Sequence, residues 1–150
     1  MMAARGEVRD VSGASVMTVL GPVSVSDLGV VDAHDHLFLR TPAIPGQEFE
    51  DVAGSVDEVR SAMTGGLRTI VEMTPVGCGR DPAKMRTLSH ATGAHVIAAA
   101  GYHRDAHYPP GHWVHEASEG LLTERVLSDL TVGMHPRDWL DPAMAPDAAR

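Results

Sequence analysis

A chain of 150 residues, 43% apolar and 21% charged, is long enough for one core, too short for two, and has the composition of a folded globular protein. Twenty acidic against twelve basic side chains give a formal charge of −8 with no basic run, which argues against a phosphate-backbone footprint and so against nucleic acid as a partner. The lone Cys78 has no partner for an intramolecular disulfide. With no signal-peptide pattern and no apolar stretch of the roughly 20 residues a membrane helix needs, a cytoplasmic location without membrane contact is expected.

In chain order, Val16 to Leu20 and Val23 to Val25 predict a small hairpin turning at Gly21-Pro22, a lid on a larger body. Leu28 to His36 predicts a strand, because Leu28, Val30 and Val31 supply β-type bulk over a segment too short for a free-standing helix. After a loop with Pro42, Pro45 and Gly46, the spacing of Val52, Val56, Val59 and Met63 predicts a helix that closes at Gly65-Gly66. Arg68 to Met73 predicts a second strand. Asp81-Pro82 then supplies an N-cap and a proline in the first helical position, and Met85, Leu88 and Ala91 give the next helix its stripe up to Gly93. Ala94 to Ala100 predicts a third, buried strand. A polar loop to about Gly111 leads to a third helix between Glu116 and Val132, with Leu122, Val126, Leu127 and Leu130 on one face.

Alternating strands and helices predict an α/β fold with parallel strands and crossover helices, in one unit over residues 1–150. About three β/α units fall short of a closed (β/α)8 barrel, which needs eight. The segment Pro136 to Arg150, rich in Pro, Ala and Asp, reads as a connection to an element that does not follow. The expectation is a single partial domain whose strand edges and apolar helix faces are exposed, a surface suited to self-association as a homo-oligomer.

The chemistry concentrates on Asp32, His34 and His36. Strand alternation predicts that all three share one face, near the carboxyl end where parallel α/β folds place their ligand sites, and two imidazoles there can share a divalent cation such as zinc. Burial at that strand end is expected to force the imidazoles into bonding or ligation. Asp35 is predicted to point away and to cap or salt-link a loop. Asp32 could orient an imidazole or pair with Arg68, and the residues do not choose between the two. His103, His107, His112 and His115 could suggest a second zinc site, but Pro109-Pro110-Gly111 interrupts any helical spacing and no cysteine joins them. Gly77-Cys78-Gly79 lacks the third glycine and downstream acid of a dinucleotide loop, and Cys78 has no identifiable base, so it is taken as structural. No Gly-x-Ser-x-Gly is present to seat a serine nucleophile.

Several segments in order carry a resemblance: Val16-Met-Thr-Val-Leu-Gly-Pro, Leu28-Gly-Val-Val-Asp-Ala-His-Asp-His-Leu-Phe, Gly65-Gly-Leu-Arg-Thr-Ile-Val-Glu-Met-Thr-Pro with Gly79-Arg-Asp, and Ala91-Thr-Gly-Ala-His-Val-Ile-Ala-Ala-Ala-Gly-Tyr. Together they resemble the amino-terminal part of the phosphotriesterase family within the amidohydrolase superfamily, from about Val16 to Tyr108. The resemblance implies an enzyme, a zinc-dependent hydrolase of phosphotriester or lactone bonds in small-molecule esters, built on a (β/α)8 TIM-type barrel. It implies two divalent metals, usually zinc, bridged by a hydroxide and a carboxylated lysine, with one metal polarising the bond under attack by metal-bound water.

On that resemblance His34 and His36 match the first-strand metal ligands, and Tyr102 and His103 fall where the family lines its substrate pocket. The lysine, two further histidines and the catalytic aspartate belong to later strands, so no catalytic residue is assigned in this chain and the isolated chain is expected to have little or no activity. Two alternatives stand beside this one: a non-catalytic α/β module that needs a partner chain, and an amidohydrolase-type enzyme acting on carbon–nitrogen bonds.

Overall fold

The computed structural model describes residues 13–135, so the predicted connection from Pro136 onward lies outside the described residues. Two short strands, β1 (Ser15–Thr18) and β2 (Gly21–Ser24), form an antiparallel ribbon in which Thr18 faces Gly21. The turn is therefore Val19-Leu20 and not the expected Gly21-Pro22. Thr18 Oγ1 donates to the Gly21 carbonyl at 2.7 Å and accepts the Leu20 N–H at 3.2 Å, which closes a two-residue loop. Gly21, at φ 120°, takes a backbone shape that L side chains rarely adopt, and Pro22 is tolerated opposite Met17 because both ribbon strands are edges.

Strands β3 (Val30–Asp35), β4 (Leu67–Glu72) and β5 (His95–Ala98) form a parallel sheet in that order, with β4 in the centre. Helix α1 (Val52–Thr64) links the first two strands and α2 (Pro82–Thr92) the second two, as the periodicities predict. Asp51 caps α1 by accepting the N–H groups of Ala53 and Gly54 at 3.0 and 3.1 Å. Asp81 caps α2 through the Lys84 N–H at 3.0 Å, and Gly93 ends it in the left-handed conformation.

The core lies between the sheet and these helices: Ile70 and Val96 from the strands meet Val56, Val59, Met85 and Leu88, joined by Leu37 and Phe38 from just beyond β3. Burial of each large apolar side chain contributes roughly 1.5–3 kcal/mol, so Leu37 and Phe38 hold firmly the backbone that follows His36. The ribbon docks through the Val19 N–H to the Val96 carbonyl at 2.9 Å. Val96 lies near the amino-terminal end of β5, so the ribbon covers the sheet at the opposite end from the histidine pair.

Helix α3 (Glu119–Thr131) follows two single-turn 3-10 segments, with Ser118 accepting the Leu121 N–H. Its expected apolar stripe is split: Leu122 and Val126 are half-buried, and the other two leucines face outward. Leu127 and Leu130 are 54% and 67% exposed, and the helix is attached instead by the buried Asp129, which pairs with Arg80 at 2.7 Å. β3 is likewise the open edge of the sheet, leaving Val30 62% exposed. Among the described residues, no helix is long and apolar enough to cross a membrane.

Candidate metal centre

His34 and His36 stand at the carboxyl end of β3, their rings 5.4 Å apart between centroids and edge to face. The burial expected of them is not observed: His34 is exposed and His36 half-buried, because β3 has no strand on its outer side among the described residues. What gathers the two rings is local backbone. The pairing of β3 with β4 slips between Asp32 and Asp35, where three steps on β3 answer two on β4, so simple alternation from Asp32 to His36 is broken. Asp32 spends its carboxylate on the His34 N–H at 3.1 Å, which is neither of the roles considered for it. Asp35 accepts the N–H of the next residue, His36, at 2.7 Å, and its carbonyl accepts the Met73 N–H at 2.8 Å.

Behind His36 lies a group that the sequence reading missed. Thr74 Oγ1 is 2.9 Å from His36 Nδ1 and donates to Glu72 Oε1 at 2.5 Å, and both Glu72 and Thr74 are fully buried. Burial pushes the Glu72 carboxyl up to about 7, against the pull of hydrogen bonds from Thr74 and the Leu37 N–H and of the Arg80 charge. The available signal was a carboxylate closing the strand Leu67-Arg-Thr-Ile-Val-Glu72, two residues before a threonine, at the same carboxyl end as the histidines. Burial pushes the His36 pKa down, His34 adds to that, Asp35 opposes it and His103 adds a further push, so His36 is neutral at neutral pH, the form that binds metal.

His103 is thus close enough to His36 to act on it, and its ring stacks on His107 at 3.5 Å. Tyr102 is placed on the same loop, its hydroxyl donating to the Leu122 carbonyl of α3 at 3.4 Å and its ring edge on Trp113. The other loop histidines organise the loop itself: His115 Nδ1 meets Asp105 at 2.6 Å and its Nε2 the Pro109 carbonyl at 3.1 Å, while His112 Nδ1 accepts the Val114 N–H. Among the described residues no group of three or more His, Cys, Asp or Glu side chains is placed to hold a metal. Cys78 is buried, with its thiol pKa raised by that burial. A cleft of about 510 Å3, walled by Arg40, Thr41, Glu50, Lys84 and His112, lies beside the loop after β3 and does not include the histidine pair; the pair's chemistry, and not the size of that cleft, marks the site.

The donor set fits a divalent cation as part of a coordination sphere. Two adjacent imidazoles, one of them neutral with Nδ1 engaged by a hydroxyl, are suitable ligands, whereas a catalytic zinc takes three protein ligands.

The phosphotriesterase family profile matches residues 14–138. A phospho-furanose lactonase of Mycoplasmopsis synoviae is 28% identical over 142 residues, covering 89% of this chain and 40% of its own length. An aryldialkylphosphatase of Saccharolobus solfataricus is 34% identical over 85 residues, covering 53% of this chain and 27% of its own. Among solved structures, an amidohydrolase from Mycoplasma synoviae superposes with a TM-score of 0.74 at 26% identity, over 83% of this chain and 38% of that one. The chain therefore spans two-fifths or less of the length of these relatives.

Proposed function

The chain belongs to the phosphotriesterase family, and from that premise we propose that it carries the first-strand ligand pair of a metal-dependent hydrolase that cleaves phosphotriester or lactone bonds in small-molecule esters. The observation that carries this reading is the neighbouring His34 and His36, with His36 held through Nδ1 by the Thr74 hydroxyl at the carboxyl end of a parallel strand. The names of its relatives, a lactonase and an aryldialkylphosphatase, support the two ester classes. The architecture proposed is the amino-terminal portion of a (β/α)8 barrel, of which residues 13–135 hold three β/α units.

His34 and His36 would hold the cation, zinc being the first choice, with two metals in a complete site. When bound, the metal supplies Lewis-acid polarisation of the phosphoryl or carbonyl oxygen. The chain's own residues do the rest that is visible here: Thr74 and the Leu37–Phe38 anchor fix the His36 ring, and the loop bearing Tyr102 and His103 borders the site on the β5 side. Cytoplasmic placement accords with the single, buried, unpaired Cys78.

A second reading is favoured by one observation. Only two candidate ligands are gathered among the described residues while the β3 edge and the α3 leucines lie open, as in a non-catalytic module completed by a partner chain. Metal content after dialysis, with paraoxon and lactone hydrolysis on the same samples, separates the readings. Zn2+ retained by the wild type and lost from His34→Ala/His36→Ala is expected, with little turnover by the isolated chain because two ligands give weak geometric control. Equal metal content in both proteins would remove the ligand assignment.

A further inference from the structure

We propose that Thr74 and Glu72 are positioning residues for His36, a buried relay that holds its imidazole in the Nδ1–H form and leaves Nε2 as a bare lone pair for a divalent cation. The part concerning the cation rests on the ligand role given to His36 above; the part concerning the tautomer does not.

A threonine hydroxyl has one proton to give. Thr74 gives it to Glu72 Oε1 at 2.5 Å, and the Thr74 N–H reaches both carboxylate oxygens at 3.3 Å. The Leu37 N–H also favours the charged form of the same carboxylate. Glu72 is thus surrounded by donors and acts as the acceptor, so the Thr74 oxygen faces His36 Nδ1, 2.9 Å away, with lone pairs only. Nδ1 must then carry the proton. Neutral imidazole in water favours the opposite, Nε2–H form, so the relay performs work that the side chain does not do unaided.

The placement is rigid where it needs to be. Glu72 closes the central strand, Thr74 is fully buried, and Leu37 and Phe38 fix the backbone that follows His36, a residue left half-buried. An imidazole whose second nitrogen donates to an oxygen is a more basic and better oriented ligand, and loss of such a partner typically costs 10- to 100-fold in metal affinity.

The test uses the full chain labelled with 15N-histidine, metal-free and at alkaline pH so that Glu72 is ionised, followed by titration with Zn2+ alone. The wild type is expected to show His36 in the Nδ1–H form. Thr74→Val keeps the shape without the hydroxyl; it is expected to move His36 to the Nε2–H form and to weaken Zn2+ binding at the pair about 10- to 100-fold. Thr74→Ser is expected to retain both properties, and Thr74→Ala repeats the comparison without added bulk should valine disturb folding. An Nε2–H tautomer in the wild type, or an unchanged tautomer and Zn2+ affinity in both hydroxyl-free variants, would overturn the proposal. Zn2+ that leaves the ring nitrogens of His34 and His36 unmoved in the wild type would refute the metal reading instead, while the tautomer comparison still decides the relay.

Discussion

Arg80 and Asp129 form an ion pair at 2.7 Å with side chains 0% and 1% exposed, joining the loop after β4 to helix α3 across 49 residues of sequence. A second guanidinium nitrogen of Arg80 donates to the Ala99 carbonyl at 2.7 Å, and Arg125 approaches Asp129 at 3.6 Å. The pair thus ties three segments together: the loop carrying Thr74, the exit of β5, and α3.

Removing one member of a buried pair leaves the other charge without compensation, which costs about 3–5 kcal/mol. Asp129→Ala is expected to lower unfolding stability by that amount in urea, whereas Arg80→Met combined with Asp129→Leu recovers most of the loss. A double variant no more stable than Asp129→Ala would show that the pair's hydrogen bonds, and not its charges, hold α3.

Glu72 makes stability pH-dependent. Its folded pKa of about 7 stands above the ordinary 4.5, so the folded state binds the proton more tightly. The contribution is full below the unfolded value and is lost as pH rises through about 7, amounting to about 3 kcal/mol across that window. His36, with a lowered pKa, contributes the opposite slope, so the difference between wild type and Glu72→Gln isolates the carboxyl. In metal-free chain, wild type minus Glu72→Gln is expected to fall from acid to neutral pH; a flat difference curve contradicts the burial argument.

Gly79 sits at φ 98°, and a Cβ there would lie 2.8 Å from the Leu39 carbonyl carbon and closer still to the Arg40 nitrogen. That approach lets the Arg40 N–H bond the Cys78 carbonyl at 2.7 Å, stitching the loops after β3 and β4 together beneath the site. Gly79→Ala is expected to cost at least about 1–3 kcal/mol from backbone strain alone, read as a lower urea midpoint. The contact is with backbone, which cannot rotate aside as a side chain could.

The exposed Leu127 and Leu130 predict association without a stability role. Leu127→Glu/Leu130→Lys is expected to change unfolding stability by no more than about 0.5 kcal/mol per site while shifting sedimentation toward monomer. A stability loss of several kcal/mol with unchanged sedimentation would mean these leucines are packed in solution.

Much of the fold was legible because its signals are short. The Val52–Val56–Val59–Met63 spacing marked α1, Asp81-Pro82 and Gly93 bounded α2, and the β-type runs marked β3, β4 and β5, all through contacts within a turn or along a strand. The His-x-His pair was legible as a local motif, and its rings do lie 5.4 Å apart, although the slip in the β3–β4 pairing and not the regular alternation of a strand brings them together. The hairpin turn was misplaced by its Gly-Pro signal because the Thr18 hydroxyl, not a proline, closes the loop.

The sequence by itself determined the order of strands and helices, the Asp81 cap and glycine end of α2, and the position of the histidine pair at a strand end, because these follow from propensity and side-chain periodicity over a few residues. Only the tertiary structure decided that β3 has no strand on its outer side among the described residues, with His34 exposed and His36 half-buried, that the buried Asp129 anchors α3 while Leu127 and Leu130 lie open, and that Glu72 and Thr74 stand behind His36. Those relationships join residues about 40 or 50 positions apart, and which carboxylate meets which partner there depends on the path of the whole chain and on what it shields from water, quantities that no local pattern encodes.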